Sequence, residues 1–438
     1  MHNIPPTPPP PAAPRGLAGA VLVLLAGGAA AQALPLLLGP WLARLYAPEA
    51  WGSYAVFAVL AANLAVVACA RFDHALPLER DETGARELLA VCAWVLAAVG
   101  LACVPLAAAL GAAGLVAHAA WLPVAVLAAG LAQALVLWAT RQQRFGALAV
   151  ARFVQHGGGA ALQGLIGLAW AGAVAGLVLG PVLAALLAAA WLAGHPPAGG
   201  WAALWRVPAG RLRAAARRHR DFPLLNTPHA FAAALQDTLA VALVVAWSGE
   251  AAAGFWALAL RYLKAPATLV GGAVSQALYP RLAAAGPDEA RRLVRRTLGL
   301  LLLAALPLVL LLMAAGPALF AWAFGERWRE AGELARALAP YIGAHFVASP
   351  LAVVTMAWRA QAWALRVALA GQVVFLGALG GGLWLGGLIG AAWAVSAAMV
   401  VYFGLYFVAL ARWQDVPAAA ADPLAGHVPV QPDPPRGA

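Results

Sequence analysis

Long apolar runs alternate with short polar segments along the whole chain. The runs lie near 16–38, 51–70, 87–110, 119–139, 148–170, 172–193, 223–246, 253–275, 298–322, 337–357, 367–386 and 388–410. A helix of about 20 apolar residues spans the hydrocarbon core of a bilayer. The pattern therefore predicts an all-α polytopic membrane protein with about twelve transmembrane helices.

The polar segment 194–222 divides these runs into two sets of six. We predict an N-terminal six-helix bundle over 16–193 and a C-terminal one over 223–410, joined by 194–222 as a basic cytoplasmic linker. Residues 1–15 are rich in proline, which favours an extended chain over a helix. We predict that 1–15 and 411–438 form disordered tails.

A short pattern recurs in the two halves. Residues 51–56 (WGSYAV) open the second run, and residues 253–258 (AGFWAL) open the eighth, 202 residues later. Because six runs separate the two copies, both enter the membrane in the same direction. Secondary transporters are often built from such repeats, so the pattern favours two related halves.

Composition supports the membrane assignment. The chain is 64% hydrophobic and 10% charged, whereas a soluble domain is about 45–50% apolar and about 25% charged. These values exclude a soluble multidomain enzyme, a disordered chain and a disulfide-rich scaffold. The three cysteines lie in or beside apolar runs without CxxC spacing, so no zinc or redox site is expected.

The positive charge follows the topology. With both termini in the cytoplasm, 21 of the 28 Lys and Arg residues fall on the cytoplasmic side and four on the outer side. This asymmetry is typical of membrane proteins with this orientation. It accounts for most of the net charge of +11 without a nucleic-acid partner. The basic runs of the cytoplasmic segments are predicted to contact anionic membrane lipids.

Catalytic signatures are absent from the sequence. It contains no Walker A loop, no GxSxG, no HExxH and no histidine pair at metal-ligand spacing. We therefore expect a protein that is not an enzyme and that needs neither a cofactor nor a metal ion.

Two cations are predicted deep in the eighth run. Lys264 is the only lysine of the chain, and Arg261 precedes it by three residues, which places both on one helical face. Charges at this depth are costly and usually face a cavity or a partner. One hypothesis is a cationic patch that binds an anionic substrate such as a lipid pyrophosphate. In the alternatives, Asp237 neutralises Arg261, or Lys264 extends to the membrane surface.

Asp237 is the acidic residue that the pattern places well inside a run. It either couples a proton or sodium gradient to transport or forms a structural ion pair with Arg261. Arg152, Gln155 and His156 share a face of the fifth run, followed by three glycines that allow close helix approach or local unwinding. This face is predicted either to bind substrate or to pack, with Arg152 reaching the headgroups.

Three segments resemble a known family. Residues 40–52 (PWLARLYAPEAWG), 71–78 (RFDHALPL) and 324–332 (FGERWREAG) are similar to motifs of bacterial polysaccharide biosynthesis membrane proteins. These are the Wzx-type flippases of lipid-linked oligosaccharides, within the multidrug/oligosaccharidyl-lipid/polysaccharide exporter (MOP) superfamily. Trp51 replaces the usual aromatic residue, and the proline of the second motif comes early. The motif positions are Arg44, Tyr46, Glu49, Gly52, Arg71 and Asp73.

The resemblance implies a MATE-like fold of two bundles that alternate access between the two sides of the membrane. It implies transfer of an undecaprenyl-pyrophosphate oligosaccharide across the bacterial inner membrane for O-antigen or exopolysaccharide assembly. A glycan polymerase and chain-length machinery are the partners expected for such a flippase. The motif residues lie at membrane borders, where a structural role is as consistent with the sequence as a role in substrate binding.

Two other functions fit the same superfamily, a peptidoglycan-precursor flippase and a cation-coupled small-molecule antiporter. A membrane-embedded glycan polymerase is a third alternative from another class. It ranks lower because polymerases usually carry a large outer loop, and no predicted outer loop here exceeds about a dozen residues.

Overall fold

The computed structural model describes residues 32–170 and 172–413, and the regular structure of this part of the chain is entirely helical. The N-terminal tail, the start of the first apolar run, residue 171 and residues 414–438 lie outside the described residues. The predictions for both tails therefore stay predictions.

The helices follow the apolar runs of the sequence. In chain order they are 32–45, Pro48–Val67, Glu82–Ala112, Leu122–Arg141, Phe145–Arg152, Gly159–Ala169, Val174–Ala193, Ala209–Arg218, Thr227–Ala284, Pro287–Phe324, Arg329–Ala357 and Gln361–Ala411. Short 3-10 or π-helical turns lie at Phe72–Leu78, Ala119–Trp121, Phe153–Gly158, Trp201–Arg206, Phe222–Asn226 and Glu326–Trp328.

Eight helical segments of the described chain are long and apolar enough to cross a membrane. Two of them contain a sharp turn: Gly249 in Thr227–Ala284, and Gly386 with Gly387 in Gln361–Ala411. Gly249 and Gly387 have positive φ values of 85° and 60°, which glycine adopts without steric cost. Each of the two segments thus supplies two of the predicted spans. The all-α polytopic membrane fold is confirmed.

The described chain forms two compact units. Unit 1 contains the chain up to Leu258 together with Ala318–Ala331, and unit 2 contains Ala259–Pro317 and the chain from Gly332. Two apolar clusters fill unit 1, one around Leu122, Val178 and Leu192 and one around Leu76, Leu88 and Trp138. A third cluster, around Leu351 and Val354, fills unit 2.

The two copies of the recurring pattern pack directly against each other within unit 1. A Cβ atom on Gly52 would lie 1.7 Å from the carbonyl oxygen of Glu250, and one on Gly254 would lie 2.0 Å from that of Pro48. The contact is reciprocal. Gly52 packs on the carbonyl group four residues before Gly254, and Gly254 packs on the carbonyl group four residues before Gly52. A local two-fold axis produces this arrangement. Ser53 Oγ donates a hydrogen bond of 2.6 Å to Glu250 Oε2 at the same crossing. We call these contacts the glycine crossing.

Trp328 completes the glycine crossing. Its indole is fully buried and donates from Nε1 to the carbonyl oxygen of Ala43 over 2.7 Å. The rings of Trp51 and Phe255, one from each copy, meet it edge to face at 6.2 and 5.8 Å. Trp328 and residues of the range 40–52, which are distant in sequence, thus form one packed cluster in unit 1.

The linker docks on unit 1 through ion pairs. Arg218 Nη1 and His219 Nε2 lie 3.3 and 3.1 Å from Glu79 Oε2, and Arg211 lies 3.7 Å from Glu87. Composition alone predicts that the entire basic run contacts anionic lipids. In the structure, Arg211 and Arg218 pair with carboxylates of the protein instead, because the Phe72–Leu78 turn and the Glu82–Ala112 helix present acidic residues to the linker. Lipid contact stays a prediction for the other basic residues.

Replacement of Gly52 with alanine should destabilise unit 1. The added methyl group cannot avoid the Glu250 carbonyl unless the two backbones separate. We expect Gly52→Ala to lower the Tm in detergent by roughly 5 °C. The matched control is Gly146→Ala, since a Cβ there meets no atom within 4 Å. Equal Tm values for the two variants would contradict the crossing.

Replacement of Glu79 with glutamine should release the linker. Burial raises the pKa of Glu79, but hydrogen bonds from His219, the Asp81 backbone and Arg218 outweigh burial and hold the pKa below its ordinary value of 4.5. The ionised carboxylate thus stabilises docking above pH 4.5, and this contribution is lost as the pH falls through the lowered pKa.

Glutamine imitates the protonated carboxyl at every pH. We expect Glu79→Gln to speed tryptic cleavage between Arg206 and Arg220 by about tenfold, since a hydrogen bond to a charged group contributes about 1.5–3 kcal/mol. Glu330→Gln, at an exposed carboxylate of the same unit, is the control. Unchanged linker cleavage in Glu79→Gln would show that the ion pairs do not hold the linker.

Candidate functional site

Unit 1 contains a polar cavity of about 370 Å³ beside the end of the Pro48–Val67 helix. Small side chains such as Ala62, Ala65 and Gly130 line most of it and make room for it. The polar lining comes from four side chains, namely Arg71, Asp73, Gln133 and Gln155. We call it the polar cavity. It brings together the predicted binding residue Gln155 and the motif residues Arg71 and Asp73.

The backbone at Ala70 and Arg71 positions the charged side chains. Both residues have positive φ values, 46° and 58°, where a non-glycine residue is strained. This geometry turns the chain from the Pro48–Val67 helix into the Phe72–Leu78 turn. The Arg71 guanidinium contacts His74 Nε2 through Nη1, while its Nε is buried without a hydrogen-bond partner. The cavity wall thus retains an unused buried donor.

Asp73 is a buried carboxyl group in the wall of the polar cavity. Its exposed fraction is 3%, and its Oδ2 lies 3.9 Å from His74 Nε2. Burial raises the pKa of Asp73 above its ordinary value, and the opposing effects of His74 and Arg71 are smaller. Asp73 therefore binds a proton more readily than an exposed aspartate does.

A second cavity of about 260 Å³ adjoins the polar cavity. The two share Ala62, Ala129 and Gln155, and the second cavity extends to His156. Both side chains belong to the π-helical turn Phe153–Gly158. Such turns occur mostly as local bulges in helices, so this one is the local unwinding that the glycine run permits.

Arg152 differs from the two residues with which it was grouped. It is exposed and belongs to the lining of neither cavity, whereas Gln155 and His156 line the second one. The π-helical turn begins directly after Arg152 and changes the helical phase, but Arg152 stays close enough to His156 to interact with it electrostatically.

Unit 2 holds the two deep cations. Arg261 and Lys264 are partly buried in the Thr227–Ala284 helix, and Lys264 is close enough to His345 to interact electrostatically. His345 lies against the rings of Tyr341 and Phe403, at 5.9 and 6.2 Å. The surroundings of Lys264 are thus aromatic.

The described carboxylates of unit 2 lie near helix starts and away from Lys264. They are Asp288, Glu289 and Glu333. The ion pairs described in this unit join Arg291 to Asp288 and Arg336 to Glu333, and neither includes Lys264. No described carboxylate of its own unit therefore neutralises Lys264.

The first family motif has structural contacts. Tyr46 is buried and donates to the carbonyl oxygen of Gln163 over 2.6 Å. Arg44 is exposed and donates to the carbonyl oxygen of Trp322 over 2.9 Å. Glu49 is exposed in the first turn of Pro48–Val67, and Gly52 forms the glycine crossing. The Pro48–Val67 helix is about 30 Å long, and it separates these residues from Arg71 and Asp73.

The amide side chains of the apolar runs fall into two groups. The structure separates them, because Gln163 donates to the Leu177 carbonyl and Asn63 to Thr238, whereas Gln133 lines the polar cavity. His345 was missed, since a single histidine in an apolar run carries no spacing signal. Asp237 is exposed in the Thr227–Ala284 helix.

The comparison with protein families gives one match. A family described as "Polysaccharide biosynthesis protein" matches residues 41–333. The comparison with curated proteins gives no match.

Solved structures share the fold of this chain at low sequence identity. A lipid II flippase MurJ in an inward closed conformation has a TM-score of 0.66 at 10% identity, over 89% of this chain and 90% of that one. An inward-facing multidrug resistance MATE family transporter of the MOP superfamily has a TM-score of 0.57 at 13% identity, over 89% and 97%. A Vibrio cholerae MATE transporter has a TM-score of 0.51 at 15% identity, over 90% and 95%. The fold is therefore that of MOP-superfamily transporters.

Replacement of Asp73 with asparagine should change the pH dependence of stability. A raised pKa means that the folded state binds the proton more tightly than the unfolded chain. The contribution of Asp73 to the free energy of unfolding therefore falls as the pH rises from its ordinary value of 3.8 through the raised pKa. We expect the Tm of Asp73→Asn to fall less than that of the wild type between about pH 4 and pH 7.

The control is Glu49→Gln, at an exposed carboxyl group outside the cavity. It should follow the wild-type Tm across the same pH range. An unchanged pH profile for Asp73→Asn would show that this carboxyl group titrates normally.

Proposed function

The chain belongs to the family of polysaccharide biosynthesis proteins, and from this membership we propose that it is a flippase for a polyprenyl-pyrophosphate-linked oligosaccharide. The proposed direction is from the cytoplasmic to the outer leaflet of a bacterial inner membrane, with both termini in the cytoplasm. The observation that carries the proposal is the position of Lys264, a cation in an apolar span. The described carboxylates of its unit all lie near helix starts, and none of them pairs with it.

A pyrophosphate is the anion that suits Arg261 and Lys264. The two cations lie one helical turn apart, so a single extended anion reaches both. Their mutual repulsion in a medium of low dielectric falls when an anion lies close to both charges. Arg261 supplies a planar donor fork, and Lys264 supplies a compact charge. His345 adds a ring beside Lys264.

The polar cavity of unit 1 offers a different chemistry. Gln133 and Gln155 each carry amide donors and an acceptor, which match the hydroxyl groups of a sugar. Arg71 contributes the unused buried Nε donor. We propose that this cavity accommodates sugar units of the glycan. Arg152, which is exposed, is proposed to attract the anionic substrate from the membrane surface.

Transport by alternating access requires contacts that open and close. The glycine crossing is suited to this role because it consists of close backbone packing, one short hydrogen bond and three aromatic rings. Asp237 is proposed either as the coupling carboxylate or as the ion-pair partner of Arg261. Anionic lipids, a glycan polymerase and chain-length machinery are the proposed partners of the cycle.

Loss of both deep cations should abolish export. In a strain that lacks its own transporter, we expect Arg261→Ala with Lys264→Ala to give no surface glycan, while the wild-type chain restores it. Loss of two charge-assisted contacts to phosphate corresponds to a decrease of about 100-fold or more. The measurement is surface glycan per cell, normalised to the amount of protein in the membrane.

Arg366→Ala is the matched control, because Arg366 is an exposed arginine of the same unit. Full export by the double variant would refute the proposed mechanism.

A wild-type chain that replaces a lipid II flippase but exports no oligosaccharide would favour the peptidoglycan-precursor alternative. Drug resistance without a glycan defect would favour the antiporter, and bond formation with purified protein and a lipid-linked donor would favour a polymerase.

A further inference from the structure

An apolar groove of about 390 Å³ lies on unit 1. Its walls come from the Glu82–Ala112, Leu122–Arg141 and Val174–Ala193 helices and from the Trp201–Arg206 turn. Its lips, such as Leu131 and Leu186, are about 40% exposed. We call it the Trp201 groove. It faces outward along three helices that are long and apolar enough to span the membrane.

One end of the Trp201 groove reaches the border of the membrane. Trp201 donates from Nε1 to the carbonyl oxygen of Ala193, at the last residue of its helix, and Trp205 meets Trp94 edge to face at 5.0 Å. Tryptophan prefers the interface between headgroups and hydrocarbon. From this end the groove follows Leu89 to Leu96, about 10 Å along the helix axis.

A cation lies at the same end. Arg86 precedes Leu89 by one turn and continues the stripe of groove residues formed by Leu89, Ala93 and Leu96. Its Nε is buried without a hydrogen-bond partner, and its Nη1 lies about 4.0 Å from the position of a Cβ on Gly199. Among the described ion pairs of unit 1, none includes Arg86. The Trp201 groove is apolar along its length and has a cation at one end. An anionic lipid has the same arrangement, with an apolar chain and a negatively charged head.

The Trp201 groove and the polar cavity share a wall. Cys92 lines the groove and Cys69 lines the cavity, and the two thiols are neighbours. On the neighbouring helix, Ala134 faces the groove and Gln133 faces the cavity. One layer of side chains thus separates an apolar compartment from a polar one.

We propose that the Trp201 groove binds the polyprenyl chain of the lipid-linked substrate when it first docks at the membrane border, and that Arg86 binds its phosphate at this step, before the pyrophosphate passes to Arg261 and Lys264. This inference rests on the proposed function and deepens it, because it assigns the tail of the substrate to a place apart from the cations of unit 2. Small residues on the groove floor, such as Ala93 and Ala189, leave room for a branched chain. Arg86 provides a charge-assisted hydrogen bond to the phosphate.

The test measures binding of undecaprenyl phosphate to the full-length protein in detergent by native mass spectrometry. Ala93→Phe fills the groove and should weaken binding by at least about tenfold. Ala98→Phe adds the same ring at an exposed position of the same helix and should leave binding unchanged. Trp205→Ala removes a lip side chain that is 51% exposed, so it weakens binding without disturbing the fold.

The headgroup contact has its own pair of variants. Arg86→Gln should weaken binding of undecaprenyl phosphate by about tenfold but not that of the uncharged undecaprenol. Arg80→Gln, at an exposed arginine of the preceding turn, should bind both as the wild type does. Equal loss of both lipids in Arg86→Gln would overturn the role of the charge.

Further outcomes separate the lipid source and the two proposals. Undiminished binding by both Ala93→Phe and Trp205→Ala would overturn the groove. Dioleoyl phosphatidylglycerol that displaces undecaprenyl phosphate at equal concentration would show a site for bulk lipid and overturn the assignment to the substrate. Loss of binding in Ala93→Phe with full glycan export would show that the groove binds the lipid but has no part in transport, which would overturn its assignment to the substrate and leave the proposed function intact. A wild-type chain that binds the probe but exports no glycan would refute the function and leave the groove supported.

Discussion

Hydrocarbon offers no hydrogen bonds, and this constraint sorts the polar side chains of the described chain into two classes. Tyr46, Gln163 and Ser396 lie in apolar spans or at their borders and bond to backbone carbonyls, at 2.6 Å for Tyr46, 2.9 Å for Gln163 and 2.6 Å for Ser396. They hold helices together. The second class lines internal space, as Gln133 and Gln155 do in unit 1. Because an unsatisfied polar group is costly at this depth, such side chains mark the places where water or a ligand enters.

Close backbone packing forms the cluster around the family motifs. Gly52 and Gly254 bring two chain segments within van der Waals contact, and any side chain at either position would prevent it. The rings that surround the crossing pack edge to face around Trp328, which is a favourable arrangement for aromatic pairs. The contact is tight without a large network of ion pairs. A cluster of this kind can separate without exposing many buried charges.

Charge has three separate roles in this molecule. Arg211, Arg218 and His219 hold the linker against Glu79 and Glu87. Arg71 and Asp73 lie in the wall of the polar cavity, where burial and mutual attraction act in opposite directions on the pKa of the carboxyl group. Lys264 lies in unit 2 away from the described carboxylates of that unit. The basic residues of the chain thus fall into three groups. One group holds the linker on unit 1, one lies in the wall of the polar cavity, and one lies in an apolar span of unit 2.

The sequence by itself determined the all-α membrane fold, because apolar runs of sufficient length have few alternatives in a bilayer. It also gave the recurring glycine pattern, whose period of 202 residues was visible without coordinates. Only the tertiary structure decided which polar residues meet. Gln155 and His156 line the cavities from a π-helical turn while Arg152 lines neither of them, and left-handed backbone at Ala70 and Arg71 directs a motif toward a cavity. Helical spacing in the sequence shows which residues share a face of one helix. Contacts between residues that are 61 to 285 positions apart, as for Cys69 with Gly130 and Ala43 with Trp328, depend on how the helices pack.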